Sequence, residues 1–123
     1  TYNRPSILKS NLVNIIDQAR EFDIPIHISD DSNNEETKIV IEEYMKDYNL
    51  LFYIQNTPSL GHDRNIVSCL SNKESEYIWL MGDSMSITNN AIKNILELIQ
   101  QESPLVWRKL LLMIATENLS ITL

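Results

Sequence analysis

Segments with helical spacing of apolar residues alternate along this chain with short, continuously apolar segments, and no other feature constrains its fold as strongly. Helices are predicted from residue 5 to about 22, after Ser32, at 64–70 and after Thr88 or Asn89. Strands are predicted between them, at 24–29, 50–54 and 77–81. This order favours a parallel sheet with right-handed crossovers and helices on both faces. The predicted fold class is therefore α/β.

Local signals support the helices. Pro5 is well placed in a first helical turn, and Ser32 followed three residues later by Glu35 matches a capping box. The apolar residues that share one face are Leu8, Leu12, Ile16 and Ala19 in the first helix, Val40, Tyr44 and Tyr48 in the second, and Ile92, Ile95, Leu96 and Ile99 in the last. These faces form the predicted helical part of the core.

Composition narrows the class of protein. The 123 residues suffice for one domain, which we expect to span 1–123, and 43% apolar against 22% charged residues predict a globular chain. Ten lysines and arginines against 17 acids give a net charge of −7, the wrong sign for neutralising nucleic-acid phosphates. We therefore expect no nucleic-acid partner.

Several other classes are excluded by missing signals. Cys69 is the single cysteine, so an internal disulfide and a thiolate metal cluster are excluded, which fits a reducing compartment. The apolar-rich stretch 105–115 is interrupted by Arg108 and Lys109 and is too short to span a bilayer. No Walker-type loop and no G-x-G-x-x-G motif occurs, which argues against ATPases and dinucleotide-binding enzymes.

The two ends of the sequence complement each other. Residues 119–123 are strand-like and stop without a following loop, whereas Thr1 to Pro5 read as a strand-to-helix junction with no strand before it. We therefore expect residues 119–123 to supply the strand that belongs before Thr1, as in a circularly permuted or reordered chain in which Met113 is the natural start. The alternative is a ragged C-terminal tail and a truncated N-terminus.

Four motifs occur at the predicted strand ends, where parallel α/β sheets bind ligands. They are Thr1-Tyr2-Asn3-Arg4, Ile28-Ser29-Asp30-Asp31-Ser32, Asn56 with Leu60-Gly61-His62-Asp63-Arg64-Asn65, and Tyr77-Ile78-Trp79-Leu80-Met81-Gly82-Asp83. In this order they resemble the nucleotide-binding half of family 2 glycosyltransferases, which have the GT-A fold and in many bacteria build capsular or O-antigen polysaccharide. The resemblance runs from residue 1 to about 102 and includes the C-terminal strand.

The resemblance implies an inverting enzyme that transfers a sugar from a nucleotide-diphosphate donor to a saccharide or lipid-linked acceptor. A UDP-sugar is the expected donor. Nothing after Glu102 resembles the family's acceptor-binding half with its general base, so no catalytic residue is assigned. The apolar residues 105–112 are expected to contact that half or a membrane surface. The expected location is cytoplasmic, peripheral to the inner face of the membrane.

Two alternatives stay open beside this interpretation. One is a phospho-signalling receiver-like domain, suggested by the length and by the Asp30-Asp31 pair with a further aspartate after a later strand. The other is a fragment that binds a nucleotide sugar without turning it over.

Asp30 and Asp31 follow a buried strand and are candidate nucleotide ligands. Carboxylates accept hydrogen bonds from a base N–H or from ribose hydroxyls, and the resemblance places base recognition on Asp31. The alternative is an Asx turn with charge stabilisation of the next helix.

Arg64 lies at the opening of a short helix, where a cation is unfavourable unless an anion binds there. The resemblance assigns Arg64 to the nucleotide and Gly61 to a close backbone approach. The alternative for Arg64 is a surface ion pair with Asp63 or another acid.

Asp83 follows the strand at 77–81 and starts the family's acidic motif, through which Mn²⁺ or Mg²⁺ holds the diphosphate. Asp83 is therefore the predicted metal ligand. Ser84 stands where a second acid is expected, which weakens the predicted metal site. An acid that caps the following helix is the alternative. The resemblance also places the loop with Thr1, Tyr2 and Arg4 near the base, a plain turn before Pro5 being the alternative there.

Overall fold

The computed structural model describes residues 1–71, 75, 77–100, 113–114 and 119–123. Its elements are α1 (Pro5–Arg20), β1 (Ile26–Asp30), α2 (Glu36–Met45), β2 (Leu51–Gln55), α3 (His62–Leu70), β3 (Tyr77–Leu80), α4 (Ala91–Gln100), β4 (Met113–Ile114) and β5 (Leu119–Thr122). The predicted alternation is confirmed, and the boundaries of the first three strands differ from the predicted ones by at most two residues.

The strands form one sheet in the order β2-β1-β5-β3-β4. The first four of these run parallel, and β4 pairs antiparallel with β3 at one edge. The α/β class is confirmed. Because the parallel strands point the same way, their carboxyl ends meet along one edge of the sheet.

Helices cover both faces of this sheet. On one face α1 packs against α2 and α4, and its apolar side chains are buried against Ile26, Ile28 and Ile121 of the sheet. The buried residues of α1 are Leu8, Leu12, Ile15, Ile16 and Ala19, which confirms the predicted face. On the other face α3 packs against β1 and β3, beside His27 and Phe52, whose rings stack with centroids 4.9 Å apart.

Residues 119–123 complete the centre of the sheet, as expected. β5 lies between β1 and β3, and the main chain of Leu123 hydrogen-bonds His27 and Ser29 of β1. Thr1 continues the same ladder, because its ammonium group donates to the Ser29 carbonyl at 2.8 Å and its carbonyl accepts from the Asp31 N–H at 2.9 Å. Successive hydrogen-bonded residues of a parallel strand are two positions apart. Thr1 therefore stands two positions beyond Leu123 along one strand line.

Two local predictions about α2 are wrong. The capping box does not form: α2 begins at Glu36, the Glu35 side chain does not cap it, and the Glu36 N–H donates instead to the Asn34 side chain at 3.0 Å. The hydroxyl of Ser32 instead donates to Asp30, and it accepts from the Asn3 N–H at 2.7 Å. Tyr48 lies beyond the end of α2, where its buried hydroxyl donates to the Ile24 carbonyl at 2.6 Å.

In the described part of the chain, no helix is long and apolar enough to cross a membrane. The expected contact through 105–112 falls outside the described residues.

Candidate functional site

A cleft of about 720 Å³ opens at the carboxyl ends of the parallel strands. We call it the strand-end cleft. Its walls come from the N-terminal segment, the loop after β1, the start of α3 and the loop after β3. The predicted site residues that line it are Thr1, Tyr2, Arg4, Asp31, Gly61 and Asp83. Residues from four distant parts of the sequence therefore share one concave surface.

The Asp31 carboxylate, 4% exposed, holds the loop at residues 56–61 in place. One oxygen accepts from the Leu60 N–H at 2.7 Å and from the Asn56 side chain at 3.2 Å, and the other accepts from the Ser59 hydroxyl at 2.5 Å and the Gly61 N–H at 2.8 Å. Burial raises the pKa of Asp31, but these four hydrogen bonds outweigh it, so the pKa lies below its usual value. A carboxylate has about four lone-pair positions. A ligand can therefore reach Asp31 only by replacing a present donor.

A second polar group links β1 to α3. Asn65 accepts from the Ser29 hydroxyl at 2.6 Å and from the Asn56 side chain at 2.9 Å, and Asn56 in turn reaches Asp31. Asn65 lines the strand-end cleft. No role was predicted for Asn65, Ser29 or Ser59, although Ser29 and Asn65 belong to the quoted motifs. For Asn65 the available signal was its helical spacing of three from His62, which lines the same wall.

Asp83 is held at the opposite wall by the N-terminal segment. Its Oδ2 accepts from the Thr1 hydroxyl at 2.7 Å, and its Oδ1 lies 3.5 Å from Nη1 of Arg4. The Asp83 side chain is 9% exposed, whereas that of Arg4 is 56% exposed. The side chain of Asn11 donates to the Asp83 carbonyl at 2.8 Å, which fixes the backbone of this loop against α1.

The first turn of α3 forms the third wall. Gly61 precedes the helix with φ of 79°, a left-handed conformation that favours glycine. This turn lets α3 begin at His62, two residues before the predicted start. The side chains at 62, 65, 66 and 69 line the strand-end cleft. Helix N-termini favour anions because their first N–H groups lack intrahelical partners.

Comparison with known proteins adds an independent finding. Residues 1–108 match the family model of glycosyl transferase family 2. The chain belongs to this family. Over 95 residues it is also 32% identical to abequosyltransferase RfbV of Salmonella typhimurium, an alignment that covers 75% of this chain and 28% of that relative. The chain thus matches less than a third of the relative's length. No solved structure shows significant similarity.

Two of the eight residues predicted to bind a nucleotide lie apart from the strand-end cleft. Asp30 is fully buried, where it accepts from the main chain of Ser32 at 2.9 Å and from the Tyr53 hydroxyl at 2.7 Å. Burial, together with the bond to Asp30, raises the pKa of Tyr53 above its usual range. Arg64 is exposed on α3 outside the cleft lining. The alternative of an ion pair to Asp63 is not observed, and Arg64 forms none with any other described residue.

The side chains around Asp83 fit a dedicated divalent-cation site poorly. Mg²⁺ at phosphate sites is usually bound through one or two free carboxylates together with waters and the substrate phosphates. Asp83 offers one carboxylate, and both of its oxygens already contact Thr1 or Arg4. Within the described residues, no three histidine, cysteine or acidic side chains converge as a set of metal ligands.

The receiver-like alternative is set aside. The family match covers most of the chain. A receiver also needs a lysine that converges with its acids, and no lysine lines the strand-end cleft among the described residues.

Proposed function

We propose that this chain is the donor-binding portion of a glycosyltransferase that transfers a sugar from a nucleotide-diphosphate donor to a saccharide or lipid-linked acceptor in polysaccharide biosynthesis. Membership of glycosyl transferase family 2 supports the reaction class. The name of RfbV describes transfer of an abequosyl group, which supports a sugar as the transferred group. A cytoplasmic location at the inner face of the membrane belongs to the same proposal and rests on the family.

The observation that carries this proposal is the composition of the strand-end cleft. A nucleotide sugar presents a base, a ribose and a diphosphate, which need acceptors for the first two and cations or N–H donors for the third. The cleft offers the Asp31 carboxylate on one wall, the Arg4 guanidinium on another and the α3 N-terminus on the third. Tyr2, 52% exposed, offers a ring at the same surface. Its volume of about 720 Å³ lies in the range of small-molecule sites.

We propose a UDP-sugar as the first donor to test. A carboxylate acceptor suits the ring N–H of uracil, and Asp31 lies in the cleft wall. The base would take the place of one of the four donors that Asp31 now accepts from.

The test is a calorimetric titration with UDP, GDP, CDP and dTDP. We expect one diphosphate to bind, and we expect Tyr2→Ala to weaken it by about fivefold through loss of ring contact, roughly 1 kcal/mol. Phe52→Ala is the matched control, because Phe52 is 45% exposed on β2 and does not line the strand-end cleft. Failure of all four diphosphates to bind would contradict the proposal.

Turnover separates the enzyme from a fragment that only binds. Incubation with the nucleotide sugar of the base that binds, followed by measurement of released nucleoside diphosphate, gives the answer. Binding without any release would favour the non-catalytic alternative.

A further inference from the structure

The Arg4–Asp83 pair is a charge arrangement that the predicted metal site does not explain. Asp83 is the acid that a divalent cation would use, yet a cation of the protein already lies 3.5 Å from its Oδ1. The other oxygen of Asp83 accepts from Thr1 at 2.7 Å. A metal ion at Asp83 would have to displace the guanidinium, because two cations at such a distance repel each other.

Arg4 also has the geometry to bind a second anion. Its side chain is 56% exposed and lines the strand-end cleft. A guanidinium has five N–H donors in a planar fork, and a single contact of 3.5 Å to Asp83 leaves most of them available. Within the described residues Arg4 is the one lysine or arginine among the cleft-lining side chains. A diphosphate bound in this cleft can therefore contact the Arg4 guanidinium.

Building on the proposed function, we infer that Arg4 neutralises the donor's diphosphate in place of a divalent cation, and that Asp83 positions the guanidinium for this contact. Arg4 would direct one edge of its fork to Asp83 and another to phosphate oxygens, the geometry that favours arginine at phosphates. Ser84, at the position of an expected second acid, fits this arrangement because it adds no further negative charge beside the diphosphate. Donor binding should then proceed without added metal.

The first experiment compares titrations of the four diphosphates in EDTA and in Mn²⁺. We expect the Kd of the diphosphate that binds to differ by less than about threefold between the two conditions. In EDTA, Arg4→Ala should weaken it by about tenfold or more, the loss expected for one charge-assisted contact. The matching nucleoside monophosphate, which lacks the second phosphate, should lose less than about threefold, whereas a general disruption of the cleft would weaken both nucleotides equally.

Two further variants complete this test. Arg20→Ala removes an arginine that pairs with Asp47 at 2.6 Å on the far side of the molecule, and it should leave all Kd values unchanged. Asp83→Asn keeps the size of the side chain and removes its charge. In EDTA its Kd for the diphosphate should stay within about threefold of that of the unmodified protein, because the amide oxygen of asparagine can still accept from the Arg4 guanidinium and keep it oriented.

The contrary outcomes are distinct. Binding that is lost in EDTA, restored by Mn²⁺ and abolished by Asp83→Asn would overturn the role of Arg4 and leave the proposed function standing. Absence of binding for all four diphosphates in both conditions would overturn the proposed function itself, and the inference with it.

Discussion

The carboxyl ends of β1 and β3 both carry an aspartate that faces the strand-end cleft, yet the two acids are held in different ways. Asp31 after β1 accepts four hydrogen bonds, all from residues 56–61. Asp83 after β3 accepts one, from Thr1, and pairs with the exposed Arg4. The same residue type at the same edge of the sheet therefore serves mainly to hold a loop in one case and remains open to ligand exchange in the other.

The energetic difference follows from what each acid leaves behind when it is removed. Removal of the Asp31 carboxylate leaves two backbone N–H groups and two side-chain donors without their acceptor. Each unsatisfied donor costs about 1–3 kcal/mol unless water reaches it. Loss of Asp83 frees a hydroxyl and a guanidinium that is already in contact with solvent. Exposed ion pairs contribute about 0–1 kcal/mol.

The largest expected effect is therefore on stability at Asp31. Asp31→Ala should lower the free energy of unfolding by about 3 kcal/mol, less than the full cost of four lost bonds, because Leu60 and Gly61 are exposed and recover hydrogen bonds from water. Asp83→Ala should lower it by only about 1 kcal/mol. Urea unfolding of both variants measures the difference. Equal losses would contradict the distinction between the two strand ends.

The contribution of Asp31 to the free energy of unfolding should decrease as the pH falls. Its pKa is lower in the folded protein than the usual 3.8, so its stabilisation is complete above that value and is lost as the pH falls below it, through the folded-state pKa. The difference in unfolding free energy between the unmodified protein and Asp31→Asn should be largest near neutral pH and should shrink as the pH falls below about 4. A difference that grows towards acid pH would show that the pKa is raised instead.

The location of the cleft was predictable from the sequence. The sequence patterns did not show which of its aspartates hold the structure together and which face a ligand. The carboxyl ends of the four parallel strands lie at one edge of the sheet, and Thr1 pairs with β1 at that edge, which is why Thr1, Arg4, Asp31 and Asp83 meet. Adjacent residues of a strand point to opposite faces. Asp30 and Asp31 therefore could not both reach the cleft, and this alternation was the available signal that one of them is structural.

Arg64 shows how a small boundary error changes a site prediction. The helix predicted from Arg64 begins at His62, because Gly61 adopts the left-handed turn before it. The cleft-facing positions 62, 65, 66 and 69 follow the i, i+3, i+4, i+7 pattern of one helical face. Arg64 is off that face. The hydrogen bonds of Asn65 and Ser59 depend on the conformation of the loop at 56–61, which local sequence patterns do not determine.

A substitution next to Asp30, at the end of β1, should distinguish a structural role of this acid from a role in nucleotide binding. Tyr53→Phe removes the donor at 2.7 Å from the fully buried Asp30, and it should cost about 1–2 kcal/mol of stability. Nucleotide affinity should not change, because neither residue lines the cleft. Tyr44→Phe is the control, since Tyr44 is partly buried and its hydroxyl has no hydrogen bond to a described residue. A binding defect in Tyr53→Phe alone would return Asp30 to the nucleotide site.

The smallest effect on stability is expected for Arg4, which pairs with Asp83 after β3. Its effect on diphosphate binding should be the largest. Arg4→Ala should change the free energy of unfolding by less than about 0.5 kcal/mol, because its ion pair is long and its side chain is mostly in solvent. Thermal unfolding of Arg4→Ala beside Arg20→Ala, whose side chain is similarly exposed, provides the comparison. A loss above about 2 kcal/mol for Arg4→Ala would mean that Arg4 holds the Asp83 loop as Asp31 holds the loop at 56–61, and the two strand ends would then be built alike.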